Sequence, residues 1–230
     1  MPELQANKAP TLRDAIVAAA AVAAMYALLI GQGLVLVRAD LPRSVALTVL
    51  PVAVLVALAV PAVFVVHYLR RRGIALGFAG LGRRGLHLVW QIPVVVLASA
   101  SLSALTGKLL GVGPGGESGA EKIAGEASSA APLVLMLAGY LVLGPFLEEI
   151  VFRRVLMGYF DTVMPAAASV LLSATIFGAA HIAPPAVIYT FFCGIGLALV
   201  ARFHRSITAS YIAHVANNLL ASATVIGALF

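Results

Sequence analysis

Two adjacent acidic residues, Glu148 and Glu149, lie well inside an apolar stretch of the sequence, where ionised side chains are rare. On membrane-insertion scales each such charge costs about 2.5 to 3.5 kcal/mol at a helix centre. Arg153 follows Glu149 by one helical turn, in the favourable order for an ion pair that partly neutralises itself. Glu148 lies about 100° around the helix from Glu149 and shares Arg153 less easily, so it is the better candidate for proton transfer. The alternative is a structural ion-pair cluster that holds two helices together.

Two histidines and an asparagine occupy later apolar stretches. His181 follows Phe177 by one helical turn, and Asn218 follows His214 at the same spacing, so each pair shares a helix face. The alternative for each pair is a hydrogen-bonded helix interface, which contributes about 0.6 kcal/mol per contact. If the span ends mark one membrane boundary, the helical rise places Glu148 roughly 18 Å deep, His214 roughly 10 Å and His181 roughly 22 Å. We therefore expect tilted helices to bring these groups into one pocket.

The composition predicts which elements position these residues. Hydrophobic residues make up 62% of the chain and charged residues 10%, against roughly 45–50% and about 25% in soluble domains. Apolar runs of about the length that crosses a bilayer recur along the chain. Because lipid offers backbone amides no hydrogen-bond partner, these runs are expected to be helical. The predicted fold is all-α, a polytopic transmembrane bundle of about seven spans. The spans are 15–37, 44–69, 86–105, 132–160, 166–182, 186–203 and 207–230.

Basic residues are distributed unequally between alternate connections. One side carries Lys8, Arg13, Arg70, Arg71, Arg72, Arg83, Arg84, Arg154, Arg202 and Arg205, and the other carries Arg38, Arg43, Lys108 and Lys122. This asymmetry predicts a cytoplasmic amino terminus and an external carboxyl terminus. It also explains the net charge of +6, so we expect no nucleic-acid partner. The first apolar run is longer than a signal-peptide core of about 7 to 15 residues, and we expect it to be retained.

Three further features of the sequence are its single cysteine, one long polar connection and the absence of common catalytic motifs. The single Cys193 excludes an internal disulfide and is interpreted as a packing residue. Residues 111–130 are rich in Gly, Ser and Glu and are predicted to form a flexible external loop, either a linker or a lid over a substrate entrance. The sequence contains no Walker-type phosphate loop, no GxSxG and no HExxH.

Three motifs occur in order on separate predicted spans. They are EExxxR (Glu148, Glu149, Arg153), FxxxH (Phe177, His181) and HxxxN (His214, Asn218). Over residues 132–223 the chain resembles the CAAX-protease and bacteriocin-processing family, which is also described as glutamic-type or type II CAAX intramembrane endopeptidases. Arg154 stands where many members have glycine. The resemblance implies a division into amino-terminal helices and a loop, 1–131, and a catalytic core, 132–230.

The resemblance also implies roles for the motif residues. Glu148 with His181 would hold and deprotonate a water, and Glu149 with Arg153 would orient the residues that react. His214 and Asn218 would donate hydrogen bonds to the oxyanion. No cofactor is required by this mechanism, although two carboxylates and two histidines could also bind zinc.

The expected activity is that of an intramembrane endopeptidase acting on a membrane-associated, prenylated or peptide substrate. Its partners would be membrane lipid and a protein or peptide substrate. The Ala- and Gly-rich composition favours a bacterial source and therefore the inner membrane. The alternatives are a non-catalytic scaffold, a bacteriocin-immunity protein or a small transporter. Transport predicts broken helices near a polar path, yet Pro51, Pro61 and Pro93 share no predicted span with the charged cluster.

Overall fold

The computed structural model describes residues 8–39, 42–113 and 130–223, and within these ranges the chain is helical and contains no strand. Seven helices lie in the described ranges: α1 (Leu12–Arg38), α2 (Arg43–Arg71), α3 (Leu88–Leu110), α4 (130–160), α5 (Ala166–Ala179), α6 (Pro184–His204) and α7 (Ile207–Ala221). A 3₁₀ turn, Gly82–His87, precedes α3. The all-α class predicted from composition is confirmed for these residues.

Helix α4 is built from five consecutive segments. They are α-helical Ala130–Ala138, π-helical Gly139–Leu143, α-helical Gly144–Glu148, π-helical Glu149–Leu156 and α-helical Met157–Phe160. In a π-helical turn each amide bonds the carbonyl five residues earlier, which widens the helix and leaves some backbone groups without the usual partner.

Five helical stretches of the described chain are long and apolar enough to cross a membrane: Leu12–Leu36, Thr48–Arg71, Gly82–Leu110, Val134–Phe160 and Pro184–His204. Helices α5 and α7 have only 14 and 15 residues, against about 20 for a full crossing. The described chain therefore has seven helices, of which five have spanning length, and the count of about seven spans stays a prediction.

Two helix ends differ from the predicted spans for local backbone reasons. Helix α5 ends at Ala179, before the predicted end at residue 182, because Ile182 has a positive φ of 61° and Ala183 is extended before Pro184. Helix α3 continues past residue 105 to Leu110, where Gly111 adopts a left-handed φ of 69°. Most of the predicted loop 111–130, and the end of the predicted last span, lie outside the described residues.

Prolines inside the amino-terminal helices do not interrupt them. Helix α2 continues through Pro51 and Pro61, and α3 continues through Pro93. Proline is tolerated in membrane helices because neighbouring groups and local adjustments satisfy the freed carbonyls. The helix breaks that a transporter would use are thus absent at these three positions.

The largest apolar core forms where α1 and α2 pack against α4. Its buried members include Ala18, Met25, Val65, Leu69, Leu147, Val151 and Val155. The division of the chain at residue 131 stays a prediction, and in the structure the parts on either side of it share this core.

Glycines allow close packing of α6 against its neighbours. A Cβ atom added at Gly194 would lie 3.0 Å from Phe177 Cδ1 on α5. One added at Gly196 would lie 2.7 Å from Val95 Cγ1 on α3. Helix α6 is therefore held between α3 and α5 at distances that larger side chains would not permit.

Basic side chains from several connections meet at one end of the bundle. Arg72 forms an ion pair with Asp14 at 3.0 Å, and Arg202 pairs with Asp161. Arg154 Nε donates to Ala75 O at 2.6 Å, and its guanidinium also reaches Lys8 O at 3.3 Å. Each contact involves an arginine of the predicted cytoplasmic group, whose orientation across a membrane stays a prediction.

Arg154, the residue that departs from the family pattern, is accommodated by the loop before α3. A Cβ atom at Gly77 would lie 2.9 Å from Arg154 Cδ, and Gly77 has a positive φ of 89°. The same loop is tied to α7, because Ile207 N donates to Gly77 O at 3.1 Å. The long side chain therefore extends beneath a glycine-containing loop instead of separating packed helices.

We expect Gly196→Ala to lower the melting temperature in detergent, because the added methyl group overlaps Val95 and overpacking costs about 1–3 kcal/mol. Gly31→Ala on α1 is the matched control, since a Cβ there meets nothing within 4 Å. Adding Val95→Ala to Gly196→Ala should recover part of the loss. Equal melting temperatures for Gly196→Ala and Gly31→Ala would contradict the close packing of α3 on α6.

Candidate active site

The buried ion pair predicted from the glutamate and arginine spacing is present in α4. Arg153 Nη1 lies 3.2 Å from Glu149 Oε1, and the carboxylate of Glu149 is 0% exposed. Arg153 Nη2 also approaches Gly194 O at 3.5 Å, and its Cζ lies 4.3 Å from the centre of the Phe177 ring. The guanidinium thus pairs with Glu149 within α4 and joins α4 to α6 through a hydrogen bond and to α5 through a cation–π contact.

The imidazole of His214 lies between the two adjacent glutamates. Its Nδ1 is 3.0 Å from Glu149 Oε1, and its Nε2 is 3.5 Å from Glu148 Oε2. The side chain of Glu148 is 13% exposed, whereas that of Glu149 is fully buried. One histidine of α7 therefore contacts both acids of α4, and only Glu148 retains an exposed face.

Phe177 is the centre around which the aromatic groups of the site pack. Its ring centroid lies 5.0 Å from those of Phe152 and His181 and 5.8 Å from that of His214. The carbonyl of Phe177 is 2.9 Å from His181 Nδ1. The one-turn spacing of the FxxxH motif therefore places the histidine ring beside the phenylalanine ring and fixes it through a backbone acceptor.

His181 reaches the site although the helical-rise estimate placed it deeper than its partners. That estimate assumed that a straight helix continues to residue 182. In the structure α5 ends at Ala179, and His181 lies in the turn that leads to α6, with its amide bonded to Gly178 O at 3.0 Å. The turn places the His181 ring beside the carbonyl of Phe177, four residues earlier, and close to the start of α6.

Asn218 is fixed to the first π-helical segment of α4. Its Nδ2 donates to Tyr140 O at 3.1 Å, and its Oδ1 accepts from Asn217 Nδ2 at 3.2 Å. Asn217 in turn accepts a hydrogen bond from the Tyr189 hydroxyl. Both asparagines are buried, and these hydrogen bonds supply partners for their side-chain amides.

A cavity of about 640 Å³ brings the predicted groups together. Glu148, His181, His214 and Asn218 all line it. Glu149 and Arg153 are not among the described residues that line the cavity. Their position is behind His214, which contacts Glu149 through Nδ1. Most other walls are apolar or aromatic, contributed by Met25, Tyr26, Leu29, Val54, Leu58, Met136, Phe177 and Ala186.

Sequence reasoning missed three residues of this site. Asn217 could have been found, because a second amide beside Asn218 in an apolar helix has the same unusual polarity. Tyr189 and the carbonyl of Tyr140 carried no sequence signal, since a tyrosine in an apolar helix is ordinary. Cys193, interpreted as a packing residue, is buried and also lines the cavity.

The positions of the potential metal ligands are relevant to the zinc alternative. Within the described ranges no group of three or more His, Cys, Asp or Glu side chains is placed to hold a metal ion. Both ring nitrogens of His214 already face carboxylates, and Nδ1 of His181 faces a backbone carbonyl. Three of the four ring nitrogens of the two histidines thus face carboxylate or backbone oxygens.

Five helices of membrane-spanning length are those of an integral membrane protein, and acid, imidazole and amide side chains line its cavity. Residues 130–220 match the family model described as Type II CAAX prenyl endopeptidase Rce1-like, so this part of the chain is similar to that family. The resemblance carried by the three motifs is thereby confirmed. The family is one of proteases, which supports hydrolase activity at that coarse level. No curated protein and no solved structure matches the chain.

The two glutamates should differ in their effect on stability. Glu149→Gln leaves Arg153 buried without its counter-ion, and breaking such a pair costs about 3–5 kcal/mol. Glu148→Gln, the matched control on the next residue, should lose much less because Glu148 faces the cavity. The free energy of unfolding in mixed micelles measures both, and equal losses would contradict the separate positions of the two acids.

Proposed function

We propose that the chain is an intramembrane endopeptidase that hydrolyses a peptide bond of a membrane-associated substrate with a water activated by Glu148. The observation that carries this proposal is His214, which lies between Glu148 and Glu149 at the wall of a cavity that His181 and Asn218 also line. A base, a water-orienting group and two oxyanion donors are what peptide hydrolysis needs.

Charge balance fixes the number of protons in the buried cluster. Nδ1 of His214 faces a carboxylate oxygen, which is an acceptor, so Nδ1 carries a proton. Glu148 and Glu149 together bring two negative charges and Arg153 one positive charge. One further proton makes the cluster neutral, and it has two places to reside, Glu148 Oε2 or His214 Nε2, which lie 3.5 Å apart.

The reactive state is the one with that proton on His214. Glu148 is then an ionised base that faces the cavity, and His214 Nε2–H is a donor. His181 donates Nδ1–H to Phe177 O, so in its neutral form it presents Nε2 as an acceptor for the hydrogen of a water. A water held between His181 and Glu148 can thus lose a proton to the carboxylate.

The hydrolytic step then balances without a covalent intermediate. The water oxygen forms a bond to the scissile carbonyl carbon while its proton moves to Glu148. His214 Nε2–H and the second Nδ2–H of Asn218 donate to the developing oxyanion. When the C–N bond breaks, the proton on Glu148 passes to the leaving nitrogen, and the products are a carboxylic acid and an amine.

The cavity walls favour a substrate with an apolar portion next to the scissile bond. Apolar and aromatic side chains from α1, α2, α4 and α6 surround the reacting groups. A membrane-embedded peptide or a prenylated chain end has this chemistry, and the bacterial inner membrane is the expected location. Immunity or scaffold roles remain the alternative that a folded but inactive chain would favour.

The test is cleavage of a broad membrane-peptide library in liposomes by the native chain, Glu148→Gln and His181→Ala. Loss of a general base costs about 10²- to 10⁴-fold in rate, and we expect losses of that order in both variants. Asp161→Asn and the exposed His67→Ala are matched controls away from the cavity and should cleave at the native rate.

A chelator arm in the same assay separates water activated by glutamate from metal-assisted hydrolysis, and we expect an unchanged native rate. Equal cleavage by Glu148→Gln, His181→Ala and the native chain would reject the assigned roles. A native chain that folds but cleaves no peptide would reject the endopeptidase proposal and favour the scaffold.

A further inference from the structure

A line of three hydrogen bonds crosses one wall of the cavity from α6 to α4. The Tyr189 hydroxyl donates to Asn217 Oδ1, Asn217 Nδ2 donates to Asn218 Oδ1 at 3.2 Å, and Asn218 Nδ2 donates to Tyr140 O at 3.1 Å. Every donor in this line faces the same direction. The last side chain in the line is Asn218, whose amide the proposed mechanism uses as a donor to the oxyanion.

The carbonyl of Tyr140 accepts from Asn218 because the helix leaves it without an amide partner. In an α-helix its donor would be the amide of Gly144, but Gly144 N–H bonds Gly139 O instead. In a π-helical turn its donor would be residue 145, and Pro145 has no N–H. The Gly144-Pro145 pair therefore exposes a backbone acceptor at the cavity wall.

That carbonyl sets the direction of the whole line. A carbonyl oxygen only accepts, so Asn218 must present Nδ2 to it and must turn Oδ1 toward Asn217. Asn217 must then donate through Nδ2, which leaves its Oδ1 facing Tyr189, whose hydroxyl donates. Reversing either amide would bring two acceptors or two donors face to face among buried side chains.

We propose that Tyr189 and Asn217 are positioning residues that, together with the Tyr140 carbonyl, hold the Asn218 amide with its nitrogen, not its oxygen, toward the reacting carbonyl. This inference rests on the proposed endopeptidase function and extends it to two residues outside the three motifs. A reversed Asn218 would present a lone pair to the developing negative charge. Tyr189, Asn217 and Asn218 line the same cavity as Glu148, which places the line at the site of reaction.

The kinetic test compares Tyr189→Phe, Asn217→Ala and the double variant with the native chain. Complete loss of an oxyanion donor costs about 10²- to 10³-fold in kcat, and we expect about 10- to 100-fold for Asn217→Ala because Asn218 remains present. Tyr189→Phe should lower kcat less, with KM nearly unchanged in both. The double variant should be no slower than Asn217→Ala, because Tyr189 acts through Asn217. Tyr159→Phe, which removes a hydroxyl outside the cavity, is the matched control.

Additive losses in the double variant, or changes confined to KM and melting temperature, would overturn the proposal in favour of simple helix-interface contacts. A native rate in Asn217→Ala would overturn it as well.

A second measurement does not depend on cleavage. The chain has only three asparagines, Asn7, Asn217 and Asn218, so ¹⁵N-asparagine labelling gives three side-chain amide pairs in an NMR spectrum. Asn217→Ala and Asn7→Ser assign them by loss of a signal. We expect Tyr189→Phe to shift the amide signals of both Asn217 and Asn218, and Tyr159→Phe to shift neither. Unmoved Asn218 signals in Tyr189→Phe would overturn the line of hydrogen bonds.

The two measurements separate this inference from the function on which it rests. If the native chain cleaves nothing, the endopeptidase proposal fails, and the amide spectra alone decide whether Tyr189 and Asn217 orient Asn218.

Discussion

Two adjacent carboxylates in an apolar bundle are the constraint on which the rest of this structure depends. Glu149 meets that constraint with Arg153 and with Nδ1 of His214, both at hydrogen-bonding distance and almost entirely buried. Glu148 shares the opposite nitrogen of the same imidazole and keeps one face toward the cavity. The two acids therefore have different chemical capacities because one is neutralised from behind and the other is left at the surface of the cavity.

Helix α4 supplies this difference through its irregular backbone. Two π-helical segments flank the short α-helical segment that ends at Glu148, and π-helical turns are frequent at functional sites. The first exposes the carbonyl of Tyr140 to Asn218, and the second contains Glu149 and Arg153. Phe177 then joins α5 to this helix, since its ring contacts both Arg153 and His214. One helix thus contacts site groups from two others, α5 and α7.

Local spacing was enough to predict part of the site. The four-residue interval from Glu149 to Arg153 is short enough that any helical turn brings the two side chains together, and the interval from Phe177 to His181 behaves in the same way. The contact of His214 with both glutamates could not be derived, because it depends on how α7 packs across α4. Nor could the π-helical turns be predicted, since they depend on tertiary contacts that no periodicity in the sequence records. The length of α5 was overestimated because apolar residues continue past the end of that helix.

The central claim is that His214 carries a proton on Nδ1 toward Glu149 and shares a second with Glu148 through Nε2. The ¹⁵N chemical shifts of histidine-labelled protein measure this directly, with His214 assigned by the signal lost in His214→Gln. The account predicts a protonated, hydrogen-bonded Nδ1 whose shift changes in Glu149→Gln, and an Nε2 whose shift responds to Glu148→Gln. A bare Nδ1 with the proton fixed on Nε2, unaffected by either substitution, would contradict it.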